Sequence, residues 1–229
     1  RLIRRQRQMC IRDSLIKLDK GSLKIDDKIE VNVNIEKREK TEAHHSATHL
    51  VHAALKRVLG DHVKQKGSLV DEHKLRFDFS HDESLSDEEI SKIEDLVNKE
   101  ILKNSAVSTK IMDLEDAKNS GAESLFGEKY EDQVRVLSIG EDDFSLELCG
   151  GTHISRTGDL GIFIITSQSS VASGVRRIEA LSGPKAQEYL SNLKNQTIQL
   201  QKLLNAPAEE IEDKAVSYTH LTLPTNKAV

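Results

Sequence analysis

The sequence predicts an α+β fold in which helices pack on a mainly antiparallel sheet. Three observations lead there. Strand-like segments crowd the stretch from Val134 to Leu181. Two segments with apolar residues at helical spacing precede them. The order of strands and helices lacks the regular alternation that builds a parallel βαβ sheet.

The elements follow in chain order. Within residues 22–35, SLKIDDKIEVNVNI, two short strands are expected around Asp26 and Asp27, because Ile29, Val31, Val33 and Ile35 alternate with polar residues. From about His44 to Leu59, the apolar positions Ala47, Leu50, Val51, Ala54, Leu55 and Val58 have helical spacing, with Gly60 as the stop. Leu75, Phe77 and Phe79 alternate as one face of a strand. Ser86 and Glu89 form a capping box before a helix that buries Ile90, Ile93, Val97 and Ile101. Strands are expected at Val134–Leu137, Phe144–Leu148, Ile162–Ile165 and Val175–Leu181. After Gly183 and Pro184, residues 185–204 read as an amphipathic helix, a connector with few partners after it in the sequence.

Composition excludes several functions. The 229 residues include five Phe, three Tyr and no Trp, too few aromatics for a base-stacking sheet. Two cysteines, Cys10 and Cys149, make no disulfide framework, so a reducing compartment, the cytoplasm, is expected. No apolar run reaches the ~20 residues of a membrane span. There is no Walker A segment and no G-x-G-x-x-G. Residues 1–14 and 216–229 resemble translated sequencing-adapter tails, and neither is expected to join the fold. The first carries five Arg and one Asp, the second a single Lys, so the body without them changes from −5 to −10. An acidic body is no general trap for nucleic acid, and neither DNA nor a membrane is expected as a partner.

His45 and His49 lie one helical turn apart, so both imidazoles share a face. Cys149 and His153 form a C-x-x-x-H pair in LCGGTH, where Gly150 and Gly151 permit a sharp turn. Three imidazoles and a thiolate suit zinc by softness and number. Each pair alone is weak, since His44 and His52 on the same helix make chance spacing easy. Ser46 stands where an H-E-x-x-H protease has its base, so that chemistry is excluded.

The segments HHSATHLVHAALKRVLGDHVKQKGSLV (44–70), LRFDFSH (75–81), LFGEKY (125–130), LELCGGTH (146–153), TGDLGIF (157–163) and SGVRRIEALSG (173–183) resemble the editing region of the alanyl-tRNA synthetase family. The resemblance covers about residues 15–214. It implies a Zn2+-dependent editing deacylase that hydrolyses seryl- or glycyl-tRNA(Ala), within a parent that joins alanine to tRNA(Ala) using ATP. The aminoacylation domain is expected to be absent, and the partners to be the tRNA(Ala) acceptor end and the parent's remaining domains. The implied organisation is the end of a β-barrel at 15–36, an editing domain at 37–183, and a connector helix at 184–214. Residues 134–180 form a small subdomain shared with threonyl-tRNA synthetase.

The resemblance also implies site residues. His45, His49, Cys149 and His153 match the metal positions, with His153 expected to be the weak or distant ligand. Gln65 matches an editing position and is the candidate catalytic residue. Gln65, Gly67, Ser68 and Arg176 are candidates for binding substrate, with Arg177, Arg156, Lys64 and Lys66 weighed beside them. Arg176 and Arg177 must face opposite ways in a strand, so a salt bridge is expected of one. His44, Gly121–Ser124, Glu131 and Gln168 depart from the family pattern without touching the metal set. The rival readings are a threonyl-tRNA synthetase-type editing domain and a non-catalytic zinc module that positions tRNA.

Overall fold

The computed structural model describes residues 18–30, 32–124 and 130–222, with the side chains of 218–222 excepted. Helix α1 spans Ile35–Leu59 and begins where Asn34 accepts the Lys37 amide on its side chain at 2.9 Å. It therefore starts some ten residues before the apolar pattern does. From His44 to Leu55 nearly every residue is buried, polar ones included. The many small residues, Ser46, Ala47, Ala53 and Ala54, let neighbours approach it closely from several sides.

Those neighbours are two antiparallel sheets and a second helix. The larger sheet contains β1 (Gln65–Val70), β2 (Leu75–Ser80), β6 (Phe163–Ala172) and β7 (Val175–Ser182), in the order β1-β2-β7-β6. The smaller contains β3 (Ser108–Asp113), β4 (Gln133–Ile139) and β5 (Ser145–Leu148) in sequence order. The α+β expectation holds. Leu75, Phe77 and Phe79 of β2 and Ile178 and Ala180 of β7 are fully buried, and form one core with Leu50, Leu55, Ile93, Val97, Leu137 and Ile139. Burying a side chain of this size contributes about 1.5–3 kcal/mol.

Helix α2 spans Asp87–Lys103 and has the expected capping box, Ser86 Oγ accepting from the Glu89 amide and Glu89 from the Ser86 amide. It also closes the free edge of β6. Asn98 bonds both the amide and the carbonyl of Phe163 at 2.9 Å, and Glu94 accepts from the Ile165 amide at 2.6 Å. Burial raises the Glu94 pKa above the ordinary 4.5, although the Ile165 amide pulls against it. A raised folded value means that the stabilising contribution is complete below about pH 4.5 and is lost as pH rises through the folded pKa. Glu94→Gln keeps an acceptor for Ile165 and carries no charge. Urea unfolding should show it slightly more stable than the parent at pH 7 and equal to it at pH 4.

Several expectations need correction. The two strands expected within 22–35 do not form among the described residues, and α1 already begins at Ile35. Among the described residues their alternation meets no partner strand, and Ile25 is 94 % and Ile29 66 % exposed. Strands β1 and β3 and the short helix α3 (Leu114–Asn119) were not expected. Strand β6 continues seven residues beyond Ile165. Helix α4 (Pro184–Leu204) matches the expected amphipathic segment, but it ends at Asn205 in a left-handed conformation. A second helix, α5, follows at Ile211–Thr222, so 184–214 is not one helix, and helical structure crosses into the supposed tail at 216. The tail at 1–14 and most of LFGEKY lie outside the described residues. Among the described residues no helix is long and apolar enough to cross a membrane.

Candidate metal centre and its adjoining cleft

Helix α1 and the turn after β5 bring four donors together. One ligand atom each from His45, His49, Cys149 and His153 lies within 4.8 Å of the others. Cys149 Sγ stands 3.6 Å from His45 Nε2 and 3.3 Å from His153 Nε2. Tetrahedral zinc with N and S ligands needs donor separations of about 3.3–3.6 Å, which both Cys149 separations meet, while the widest in the set, up to 4.8 Å, would have to close by about 1 Å. His153 is drawn in with the rest and is not set apart.

Each imidazole is oriented by a partner on its other nitrogen. His45 Nδ1 donates to the Thr152 carbonyl at 3.1 Å, His49 Nδ1 to Glu147 Oε2 at 2.8 Å, and His153 Nδ1 to Ser46 Oγ at 3.2 Å. This assignment turns all three Nε2 lone pairs inward, as metal-binding histidines require. His49 Nε2 is buried with no hydrogen-bond partner, an orphan that an ion would satisfy.

Gly151 is required by close approach. A Cβ there would fall 2.3 Å from His45 Cε1. The expected role for the glycine pair was a turn, yet neither Gly150 nor Gly151 has positive φ, and Gly150 faces open space.

The electrostatics favour the ionised forms of the Cys149 sulfur and the Glu147 carboxyl. Burial opposes ionisation of Cys149, but hydrogen bonds from His153, His45 and His49 outweigh it and hold the thiol at about 3. Burial likewise opposes the Glu147 charge, and the neighbouring His49 offsets this and holds the carboxyl well below its ordinary range. Burial pushes His153 down to about 4.

Glu147 extends the site beyond the donors. Its Oε1 accepts from His52 Nδ1 at 3.1 Å and from Ser145 Oγ at 3.0 Å, while Oε2 serves His49. His52 and Glu147 in turn line a cleft of about 400 Å³ with Gln65, Lys64, Lys56 and Glu123. Gln65 thus shares a cleft with His52 and Glu147, and Glu147 bonds the metal-set residue His49. Ser68 accepts a hydrogen bond from Gln65 Nε2 at 3.2 Å. Gly67 instead faces Asp78 across the β1–β2 pair.

The basic candidates are dispersed. Arg177 is the member of its pair with the salt bridge, bonding both Asp78 oxygens at 2.6 and 2.8 Å. Arg176 donates to Ser84 Oγ at 2.8 Å and lies outside the cleft lining. Arg156 is engaged by the Asn104 side chain and carbonyl at the end of α2.

Sequence reasoning missed Glu147, Ser46 and Thr152, and read His52 only as an extra imidazole. The available signal was the spacing of Glu147 two residues before Cys149, which in a strand puts both side chains on one face.

Comparison with known proteins now bears on this site. Residues 134–179 match the family model described as the threonyl and alanyl tRNA synthetase second additional domain. The chain is 50% identical over 201 residues to the alanine–tRNA ligase of Ruthia magnifica subsp. Calyptogena magnifica, covering 88% of the chain and 23% of that relative. It is 53% identical over 197 residues to the alanine–tRNA ligase of Pseudomonas fluorescens (strain Pf-5), covering 86% and 22% respectively. It is 54% identical over 194 residues to that of Saccharophagus degradans, covering 85% and 22%. The chain belongs to the alanyl-tRNA synthetase family. It spans 22–23% of the length of these relatives. Within this alanyl-tRNA synthetase segment, the matched span contains Cys149 and His153 but not His45 and His49. The four donors thus join the shared subdomain to helix α1.

Proposed function

We propose that this chain is a zinc-dependent editing deacylase that hydrolyses the ester of seryl- or glycyl-tRNA(Ala), in the cytoplasm, as part of an enzyme that attaches alanine to tRNA(Ala) using ATP. The observation that carries the reading is the convergence of three Nε2 atoms and one thiolate-prone sulfur beside a cleft. His45, His49, Cys149 and His153 would hold the ion. When one of its positions is open, zinc supplies a water of lowered pKa or polarises an ester carbonyl.

The chain's own residues supply orientation and selection. Glu147, Thr152 and Ser46 fix the three imidazoles. Gln65 offers amide donors and an acceptor to a small polar side chain in the cleft. Such a second site has a physical purpose. A synthetic pocket for alanine gains only ~1–3 kcal/mol of discrimination against glycine from one methyl, and an added hydroxyl is similarly hard to reject. A polar pocket reads the serine hydroxyl directly. Gly67, Ser68 and Arg176 are proposed as supporting contacts to substrate, Ser68 through Gln65.

A second reading is a structural zinc module that positions tRNA without hydrolysis. The approach of His153 to the other three donors favours it, because four protein ligands close a zinc site. Turnover separates the two. The full chain, loaded with zinc, should hydrolyse seryl-tRNA(Ala). Cys149→Ala and chelation should each abolish turnover, and Gln65→Ala should lower it at least 10-fold while zinc content is retained. A folded, zinc-loaded chain with no turnover would overturn the deacylase reading.

A further inference from the structure

The cleft contains an acceptor that no other described residue satisfies. His52 donates Nδ1–H to Glu147 Oε1, which leaves the lone pair on Nε2. That Nε2 is buried without a hydrogen-bond partner on a side chain only 6 % exposed. Glu123 Oε2 faces it at 3.9 Å, beyond hydrogen-bond reach, and is also an acceptor. The other oxygen of Glu123 is already engaged by Lys56. Two acceptors so spaced are bridged by one group that carries at least two donors and sits about 2.9 Å from each.

We infer that this gap receives the primary ammonium of a ligand, with His52 Nε2 and Glu123 Oε2 each accepting one N–H. A hydroxyl has a single donor and cannot serve both acceptors. An ammonium has three donors and a charge opposite to that of Glu123. Gln65 lines the same cleft, with its amide nitrogen donating to Ser68 Oγ. The inference rests on the editing reading, in which the ligand is an aminoacyl ester and the ammonium is its α-amino group. It adds that the site selects a free α-amine, so that N-blocked aminoacyl esters are excluded.

The test uses two adenosine analogues that resist hydrolysis. One carries a 3′-amide-linked seryl group, and the other has a hydroxyl in place of the seryl amine. Calorimetry at pH 6.5 with the full zinc-loaded chain should give at least about 10-fold tighter binding of the amine, a charge-assisted contact. Glu123→Ala changes a partly exposed side chain and should reduce this ratio toward one, as should His52→Gln. Equal binding of both analogues by the parent chain would mean that a water occupies the gap, and would overturn the inference. A ratio that persists in both variants, with both affinities lowered alike, would give His52 a merely structural role and also overturn it. Neither result bears on whether the parent chain hydrolyses seryl-tRNA(Ala), whereas failure of the editing reading appears as absent hydrolysis by the parent chain itself.

Discussion

Gly151→Ala is expected to lower zinc affinity by about 100-fold or more while leaving the metal-free fold nearly unchanged. The new Cβ would stand 2.3 Å from His45 Cε1 and 2.8 Å from its Nδ1, inside van der Waals contact. The ring must swing away, which breaks its bond to the Thr152 carbonyl and withdraws Nε2 from the cluster. The imidazole is half-buried and has room to leave, so the backbone need not move. Competition with a chromophoric chelator measures the affinity, and thermal unfolding of the zinc-free chain measures the fold. An affinity within twofold of the parent would show that His45 is no ligand. Gly150→Ala, whose Cβ meets nothing within 4 Å, is the matched control.

Glu147→Ala should damage both metal binding and stability. It leaves His49 Nδ1 and His52 Nδ1, both buried, without acceptors. Each unsatisfied donor costs about 1–3 kcal/mol, so urea unfolding of the zinc-free chain should show a loss of about 2–6 kcal/mol. Zinc affinity should fall a further 10–100-fold, because the His49 ring loses the partner that fixes its tautomer. Unchanged affinity with lowered stability would confine Glu147 to a role in packing.

The sequence was most legible where one physical rule acted alone. Helix α2 was readable from its start, because Ser86 and Glu89 satisfy each other and its apolar face is regular. Strand β2 was readable for the same reason, with Leu75, Phe77 and Phe79 alternating into one core. Strand β1 was missed because Gln65–Val70 contains Gly67 and is largely exposed, so no apolar alternation marks it. The start of α1 was missed because residues 35–43 are held by the Asn34 cap and ion pairs such as Lys40–Glu36 rather than by burial. Residues 22–35 misled in the opposite direction, since alternation shows a strand's readiness to pair but does not supply the partner.

The candidate site divides in the same way. Residue type and one-turn spacing raised His45, His49, Cys149 and His153 as a metal set, and folding brings them together. The partners that aim these rings were hidden. Thr152 acts through its carbonyl, and Ser46, next to His45 in the sequence, acts through its hydroxyl on His153, so neither residue type advertises its role. The link from His52 through Glu147 to His49 spans 95 residues or more of sequence and exists only after folding.

The four donors come from two segments about a hundred residues apart, 45–49 and 149–153. An ion held there is a clasp across most of the chain, and the free energy of its binding becomes folding free energy. The entropy of closing so long a loop exceeds that of a short one only modestly, because it grows with the logarithm of length. Metal binding and structural integrity would therefore share one reservoir, and a chelated sample of the chain should be looser and more readily proteolysed than a loaded one.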